Sequence, residues 1–212
     1  RERAALYRVV EARRQFVLVR HALRCLLASQ LRITPDAVRF SGLPNAKPAL
    51  HGATGPTALR FNVGHSGDWG LIALALGREV GVDVEQHRDL PDALELATRF
   101  FAADEVATLR SLPVPAQRQA FFDAWTRKEA FVKALGAGLS YSLNRFSVSL
   151  APGEQARLLH VADDPAAAGK WRLMSLDVGD GYSAAMVVEG GGWILHHPSG
   201  GIVPDSAGFA VF

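Results

Sequence analysis

Across residues 3–31, the apolar positions Leu6, Val9, Val10, Phe16, Val17, Leu23, Leu26, Leu27 and Leu31 recur mostly at three- and four-residue spacings. That period predicts an amphipathic helix, with a break or bend before Phe16. Thr34-Pro35-Asp36 stops it, and residues 38–40 predict a short strand. Residues 41–57 are rich in Gly, Pro, Asn and Thr and read as loop. Strand patterns follow at 58–63, 69–76 and 80–85, separated by turn-like stretches at 64–68 and 77–79, which predicts a meander of neighbouring strands. The middle of the chain turns helical at 90–101, 103–111 and 116–135, with Gly136 and Gly138 ending the last helix. Strand patterns return at 145–150, 157–161, 171–177 and 182–189, and after Gly190-Gly191-Gly192 the periodicity is lost.

The order helix, strands, helices, strands predicts an α+β fold of two halves in series. The division falls at 1–85 for an N-terminal half and 86–189 for a C-terminal half. Residues 190–212 form a tail without an assigned role. No repeat between the halves is visible in the sequence.

Composition narrows the picture. A hydrophobic fraction of 49% with 21% charged residues in a chain of 212 is that of a cored protein rather than a disordered one. The net charge of +2 hides an asymmetry: Arg1, Arg3, Arg8, Arg13, Arg14, Arg20, Arg24 and Arg32 crowd the first segment against only Glu2 and Glu11. Such a block suits a polyanion, a phosphate-bearing ligand or an acidic partner, or else forms a solvated helix face. The single cysteine, Cys25, excludes an intramolecular disulfide and a cysteine-rich zinc site, and its apolar neighbours predict a buried thiol. No apolar run approaches the roughly 18 residues that span a bilayer. No signal-peptide pattern opens the chain, so a cytoplasmic protein without a membrane partner is expected.

Two stretches carry most of the chemistry. In Gly81-Val82-Asp83-Val84-Glu85 the strand period puts Asp83 and Glu85 on one face. Adjacent acids repel unless a cation compensates, and Mg²⁺, which takes one or two carboxylates together with substrate phosphate oxygens, fits that need; a solvated acidic face alternates in the same way. In Trp125-Thr126-Arg127-Lys128-Glu129-Ala130-Phe131-Val132-Lys133, Glu129 and Lys133 stand at i and i+4 with Trp125 a turn earlier. This helix offers a third carboxylate, or a base, together with Lys128 and Lys133 as phosphate-neutralising point charges; the plainer alternative is a surface ion pair. Upstream, Phe61-Asn62-Val63-Gly64-His65-Ser66 puts an imidazole, a hydroxyl and a glycine where a strand is predicted to end, a corner able to bind an anion. Lys47-Pro48 adds a lysine held beside a rigid residue.

Taken in order, these motifs resemble the 4′-phosphopantetheinyl transferases of the larger, surfactin-synthetase-activating type. The matching stretches run from Lys47-Pro48 through the His65 motif, the Asp83–Glu85 strand, Arg99-Phe100-Phe101 with Glu105, and the Trp125–Lys133 helix, to Gly136-Ala137-Gly138-Leu139-Ser140. The resemblance implies a pseudo-dimer of two α+β halves with the site between them. It also implies transfer of the phosphopantetheine arm of coenzyme A to a serine of an acyl or peptidyl carrier protein, releasing adenosine 3′,5′-bisphosphate. Asp83, Glu85 and Glu129 would bind Mg²⁺, and Glu129 would deprotonate the serine. Lys133 and Lys128 would neutralise the phosphates. His65, Ser66 and Lys47 would hold the nucleotide end of coenzyme A, helped by Arg13 or Arg14. Two halves in one chain imply a monomer, and neither nucleic acid nor membrane is expected as a partner. Many members carry serine before the histidine where this chain has Gly64, which removes a hydroxyl that Ser66 or the Gly64 N–H would have to replace. Two other readings use the same residues: a non-catalytic module that binds coenzyme A or a carrier protein, and a different Mg²⁺-dependent enzyme acting on a nucleotide.

Overall fold

The computed structural model describes residues 10–42, 47–52, 58–162, 164–195, 202–203 and 208–211, with backbone alone at 10–13, 139, 202–203 and 208–211. Helix α1 (Val10–Leu31) runs without interruption past Phe16, so the expected break does not fall within the described residues. Its residues Val19, Leu23 and Leu27, one turn apart, bury a stripe against Val38, Leu50, Phe61 and Ile72. Phe61 lies on β3 (Leu59–Ser66) and Ile72 on β4 (Trp69–Leu76), an antiparallel pair in register from Leu59↔Leu76 to Ser66↔Trp69. The pair β1 (Phe40–Ser41) and β2 (Ala49–Leu50) lies before them, within and beside the stretch read as loop. Cys25 is exposed on α1 rather than buried, because it falls off the stripe defined by Leu23 and Leu27.

The expected meander ends at β4. Strand β5 (Val80–Gln86) takes its ladder partner from the far end of the chain, pairing antiparallel with β9 (Tyr182–Glu189). With β8 (Trp171–Ser175) these strands form a three-stranded sheet ordered β5-β9-β8. The carboxylate strand, which falls before the division drawn at residue 85, is therefore hydrogen-bonded into the second sheet. Between them in sequence come α2 (Ala93–Phe100), α3 (Ala103–Ser111), α4 (Val114–Leu135), the short pair β6 (Phe146–Val148) and β7 (Leu158–Val161), and α5 (Ala167–Lys170). Two strands also fall in the tail: β10 (Ile202–Val203), and β11 (Gly208–Val211), which runs parallel to β4. The fold is α+β, with α1 on β3–β4 and α4 on β5-β9-β8. Among the described residues no helix is long and apolar enough to cross a membrane.

Alternation explains how β5 serves two layers. Val80, Val82 and Val84 pack with Leu71, Ala73, Ala184, Met186 and Val188 in one core. Gly81, Asp83 and Glu85 face the other way, towards α4. The helix lies against the strand at Gly81: a Cβ there would fall inside van der Waals distance of the Ala130 carbonyl oxygen and the Ala134 amide nitrogen. Glycine inside a strand commonly marks such a close backbone approach. Gly136, at φ 69°, ends α4 in the left-handed conformation, as its position after the last periodic residue predicts.

A methyl group at position 81 has nowhere to go, since the atoms it meets are backbone. Gly81→Ala should lower stability by about 1–3 kcal/mol or more through overpacking, read as a fall in the urea midpoint. Gly169→Ala, in α5 with nothing within 4 Å of the added carbon, should leave the midpoint unchanged or raise it. Equal midpoints for the two variants would show that α4 does not rest on β5 in this way.

Candidate active site

The crossing of α4 over β5 brings the acidic residues together. Lys133 Nζ donates to Asp83 Oδ1 at 2.6 Å and to the Val82 carbonyl at 3.3 Å. Lys133 therefore turns to the strand instead of pairing with Glu129 along its own helix. Asp83 is buried, and its Oδ2 has no hydrogen-bond partner among the described residues. Burial pushes the Asp83 pKa up, against the opposing pull of Lys133. Glu85 accepts a hydrogen bond from Ser66 Oγ at 3.0 Å, and burial followed by the charge of Asp83 raises its pKa. Glu129, half-buried, is raised by burial and then by Asp83, with Lys133 pulling it down and Glu85 pushing it up. The three carboxylates thus feel one another's charge with one lysine among them. As the side chains stand, no three His, Cys, Asp or Glu groups among the described residues close around a single point.

Beside them opens a cavity of about 840 Å³. Trp125, Glu129, Val132, Lys133 and Gly136 form one stripe of α4 along its wall, while Phe100, Tyr141 and Leu143 give it an apolar, aromatic lining. Phe100 packs edge-on against Trp125 at 6.1 Å between ring centroids, which ties α2 to this wall. Asn62 and Val63 of β3 close another side.

Three expected ligand-facing groups are engaged elsewhere. Lys128, next to Glu129, points about 100° away around the helix and is 0% exposed. It pairs with Glu105 at 2.7 Å and donates to the Leu143 and Phe146 carbonyls at 2.9 and 2.6 Å, with the Phe146 ring 4.2 Å away. The expectation that it stands beside a bound phosphate is corrected: one residue's rotation turns it off the face that carries Glu129 and into the core. Lys47 is likewise spent, donating to Glu79 at 2.7 Å, to the Val80 carbonyl at 2.9 Å and to the Ala134 carbonyl at 3.0 Å. It fastens strand to helix beside Gly81 while also lining the cavity, with its ammonium already paired to Glu79. Ser66 holds Glu85 and accepts from the Gln86 N–H at 3.1 Å, so its hydroxyl serves the acidic strand.

His65 sits within β3, not in a turn after it, and is exposed. Packing around its ring and then the charge of Lys133 lower its pKa, while Asp83 raises it, which puts the imidazole in electrostatic reach of both. Arg14 is exposed on α1, next to Gln15, whose amide donates to the Gly67 carbonyl in the turn after β3. Arg13 lies outside the described side chains.

The site also has residues to which sequence reasoning gave no role. Glu105 accepts from the Ala102 and Val148 N–H groups, both at 2.8 Å, as well as from Lys128. Asn62 accepts the Val82 N–H at 3.0 Å. A polar residue repeated inside an otherwise apolar strand was the available signal for Asn62. Glu105 carried none apart from the motif spacing.

Helix α4 and strand β5 thus set three carboxylates and a lysine beside an apolar cavity, a layout that suits a phosphate-bearing ligand with an apolar part. The family model of the 4′-phosphopantetheinyl transferase superfamily matches residues 79–187, which span β5 to β9. The 4′-phosphopantetheinyl transferase HetI of Nostoc sp. is 36% identical over 90% of this chain and 77% of its own length. The 4′-phosphopantetheinyl transferase Sfp of Bacillus subtilis is 34% identical over 60% of this chain and 54% of its own. The holo-[acyl-carrier-protein] synthase structure of Thermotoga maritima aligns with a TM-score of 0.41 at 25% identity, covering 53% of this chain and 62% of that one. This chain belongs to the 4′-phosphopantetheinyl transferase superfamily.

The Glu105–Lys128 pair is a buried charge pair whose removal from one side strands the other. Lys128→Met should cost about 3–5 kcal/mol, because it leaves Glu105 buried without its cation. Thermal unfolding checks it; a variant as stable as the parent would show that the pair is not buried as described.

Proposed function

We propose that this chain transfers the 4′-phosphopantetheine arm of coenzyme A to a serine hydroxyl of an acyl or peptidyl carrier protein, releasing adenosine 3′,5′-bisphosphate. The observation that carries this reading is the Trp125–Glu129–Lys133 stripe of α4, which sets an acid and a lysine on the wall of an apolar cavity and beside buried Asp83. In the reaction the serine Oγ bonds to the phosphorus that bears pantetheine. The bond from that phosphorus to the bridging oxygen of the nucleotide breaks, and the serine proton must leave. Glu129 takes that proton, and its raised pKa makes it a better base than an ordinary glutamate. Lys133 stabilises the charge that collects on the phosphate oxygens, a preorganised contribution of the kind phosphoryl transfer depends on. His65 holds a phosphate at the nucleotide end, with exposed Arg14 of α1 as a cation for it.

The acidic set suits Mg²⁺. Its donors are hard oxygens, Asp83 has an open buried Oδ2, and the mutual repulsion of the carboxylates helps hold the Glu85 and Glu129 pKa values up. Asp83, Glu85 and Glu129 are the residues that would hold the ion, which would supply positive charge at the pyrophosphate. A monomer is expected if the two halves in one chain build the whole site, and coenzyme A as substrate favours work in the cytoplasm.

Incubation with coenzyme A, Mg²⁺ and an apo carrier protein should add the phosphopantetheine mass to the carrier, read by mass spectrometry. Coenzyme A binding without transfer to any of several carriers would favour a non-catalytic module. Nucleotide cleavage without a carrier would favour a different phosphotransferase. Glu129→Gln should abolish transfer with little change in Tm; near-normal turnover would remove Glu129 from the chemistry.

The same shifts give a metal test independent of activity. Raised carboxylate pKa values mean that the folded chain keeps protons which the unfolded chain gives up. These groups therefore weaken the fold as pH rises from ordinary carboxylate values through their folded ones. At neutral pH, Mg²⁺ should raise the Tm of the parent by binding only the folded state, and Asp83→Asn should remove most of that rise. An unchanged Tm at millimolar Mg²⁺ would argue against these ligands.

A further inference from the structure

β3 and β5 run side by side, yet they belong to different ladders: β3 pairs with β4 and β5 with β9. Side chains of β3 supply the missing bonds. Asn62 Oδ1 accepts the buried Val82 N–H at 3.0 Å, and Ser66 Oγ accepts the Gln86 N–H at 3.1 Å. An amide carries its acceptor and its donors on one planar carbon, so the N–H that claims the oxygen also decides which way the NH₂ group points. Asn62 is 8% exposed and lines the cavity beside α4. Its Nδ2 has no hydrogen-bond partner among the described residues and is not sealed from solvent, on a residue that lines the cavity. Val82 therefore holds a neutral donor in fixed orientation on the wall that also carries Trp125, Val132 and Lys133.

A fixed neutral donor on an apolar wall suits a neutral acceptor. The phosphopantetheine arm is an uncharged chain whose polar groups are amides, and burying one of its carbonyls without a donor would carry a desolvation cost. We propose that Asn62 Nδ2 donates to an amide carbonyl of the coenzyme A arm, orienting the arm along the cavity. This assignment rests on the transferase reading. It makes Asn62 a substrate-positioning residue with a second, structural bond to the carboxylate strand.

The two bonds can be separated. Asn62→Asp keeps an oxygen for the Val82 N–H and loses the donor, whereas Asn62→Leu loses both. Titration calorimetry with coenzyme A and with adenosine 3′,5′-bisphosphate, which lacks the arm, reads the donor; thermal unfolding reads the seam. Asn62→Asp should weaken coenzyme A binding about tenfold, the scale of one hydrogen bond, with affinity for the bisphosphate unchanged; its Tm also carries the cost of a new buried carboxylate and does not decide the assignment. Asn62→Leu should show the same selective loss of affinity and a lower Tm. The assignment is overturned if Asn62→Asp binds coenzyme A as the parent does, or weakens both ligands equally as an added charge would. Transfer by the parent to an apo carrier is measured alongside: a parent that binds coenzyme A without transferring removes the transferase reading alone, and the affinity ratio still decides Asn62. A parent that does not bind coenzyme A removes both.

Discussion

The contact of α4 with β5 at Gly81 sets the geometry of everything that follows. With no side chain between them, helix backbone meets strand backbone, and the residues flanking the contact are brought to hydrogen-bonding range. Asp83 and Glu85 follow Gly81 on the same strand face, while Glu129 and Lys133 precede Ala130 and Ala134 on the helix. The 2.6 Å bond from Lys133 to Asp83 spans this junction. Lys47 secures it from the side, because one ammonium donates to Val80 of the strand and to Ala134 of the helix. A larger residue at position 81 would separate acid from lysine before it touched any reacting group.

A second junction joins β5 to the first sheet by side chains. Asn62, Gly64 and Ser66 alternate along β3 and face β5, with the flanking pair accepting N–H groups and the glycine allowing close approach. β5 is thereby held from three directions: the β9 ladder, the α4 crossing and the β3 seam. That restraint matters because its acids would otherwise relieve their burial and mutual repulsion by turning towards solvent. The structure instead keeps them beside Glu129, with Lys133 on Asp83 and Arg88 3.8 Å from Glu85, so three acids face two cations and a further cation would relieve them.

Periodicity made most of this legible. The α3 and β9 spans were readable to the residue, and the α4 stripe from Trp125 to Lys133 followed from helical spacing alone. What periodicity does not carry is partnership between distant segments. Strand β5 looks like the third strand of a meander, but it pairs with β9, whose Ala185 and Val187 pack with α4 in the other core. Lys128 was misread for a related reason. Beside Glu129 in sequence it looks like a second site cation, but adjacent helical residues diverge, and its partner Glu105 lies on another helix. Ser66 looks available for a ligand until its bonds to Glu85 and the Gln86 N–H are seen, and Lys47, though on the cavity wall, is already paired with Glu79.

The glycine at position 64 changes meaning in the same way. As sequence, it is a missing hydroxyl beside His65 and so a loss of contact with the nucleotide. In the fold, position 64 faces the carboxylate strand: an added Cβ would stand 3.1 Å from both the Asp83 Cα and the Val82 carbonyl oxygen. A side chain there must first displace β5 by a few tenths of an ångström before it can offer a hydroxyl to anything. Gly64 therefore governs how closely the acids of β5 approach the strand that carries His65, and any effect on ligand affinity passes through that spacing. The same logic binds His65 to the acidic set, since its ring feels Lys133 and Asp83 only because the seam at Asn62, Gly64 and Ser66 holds the two strands together.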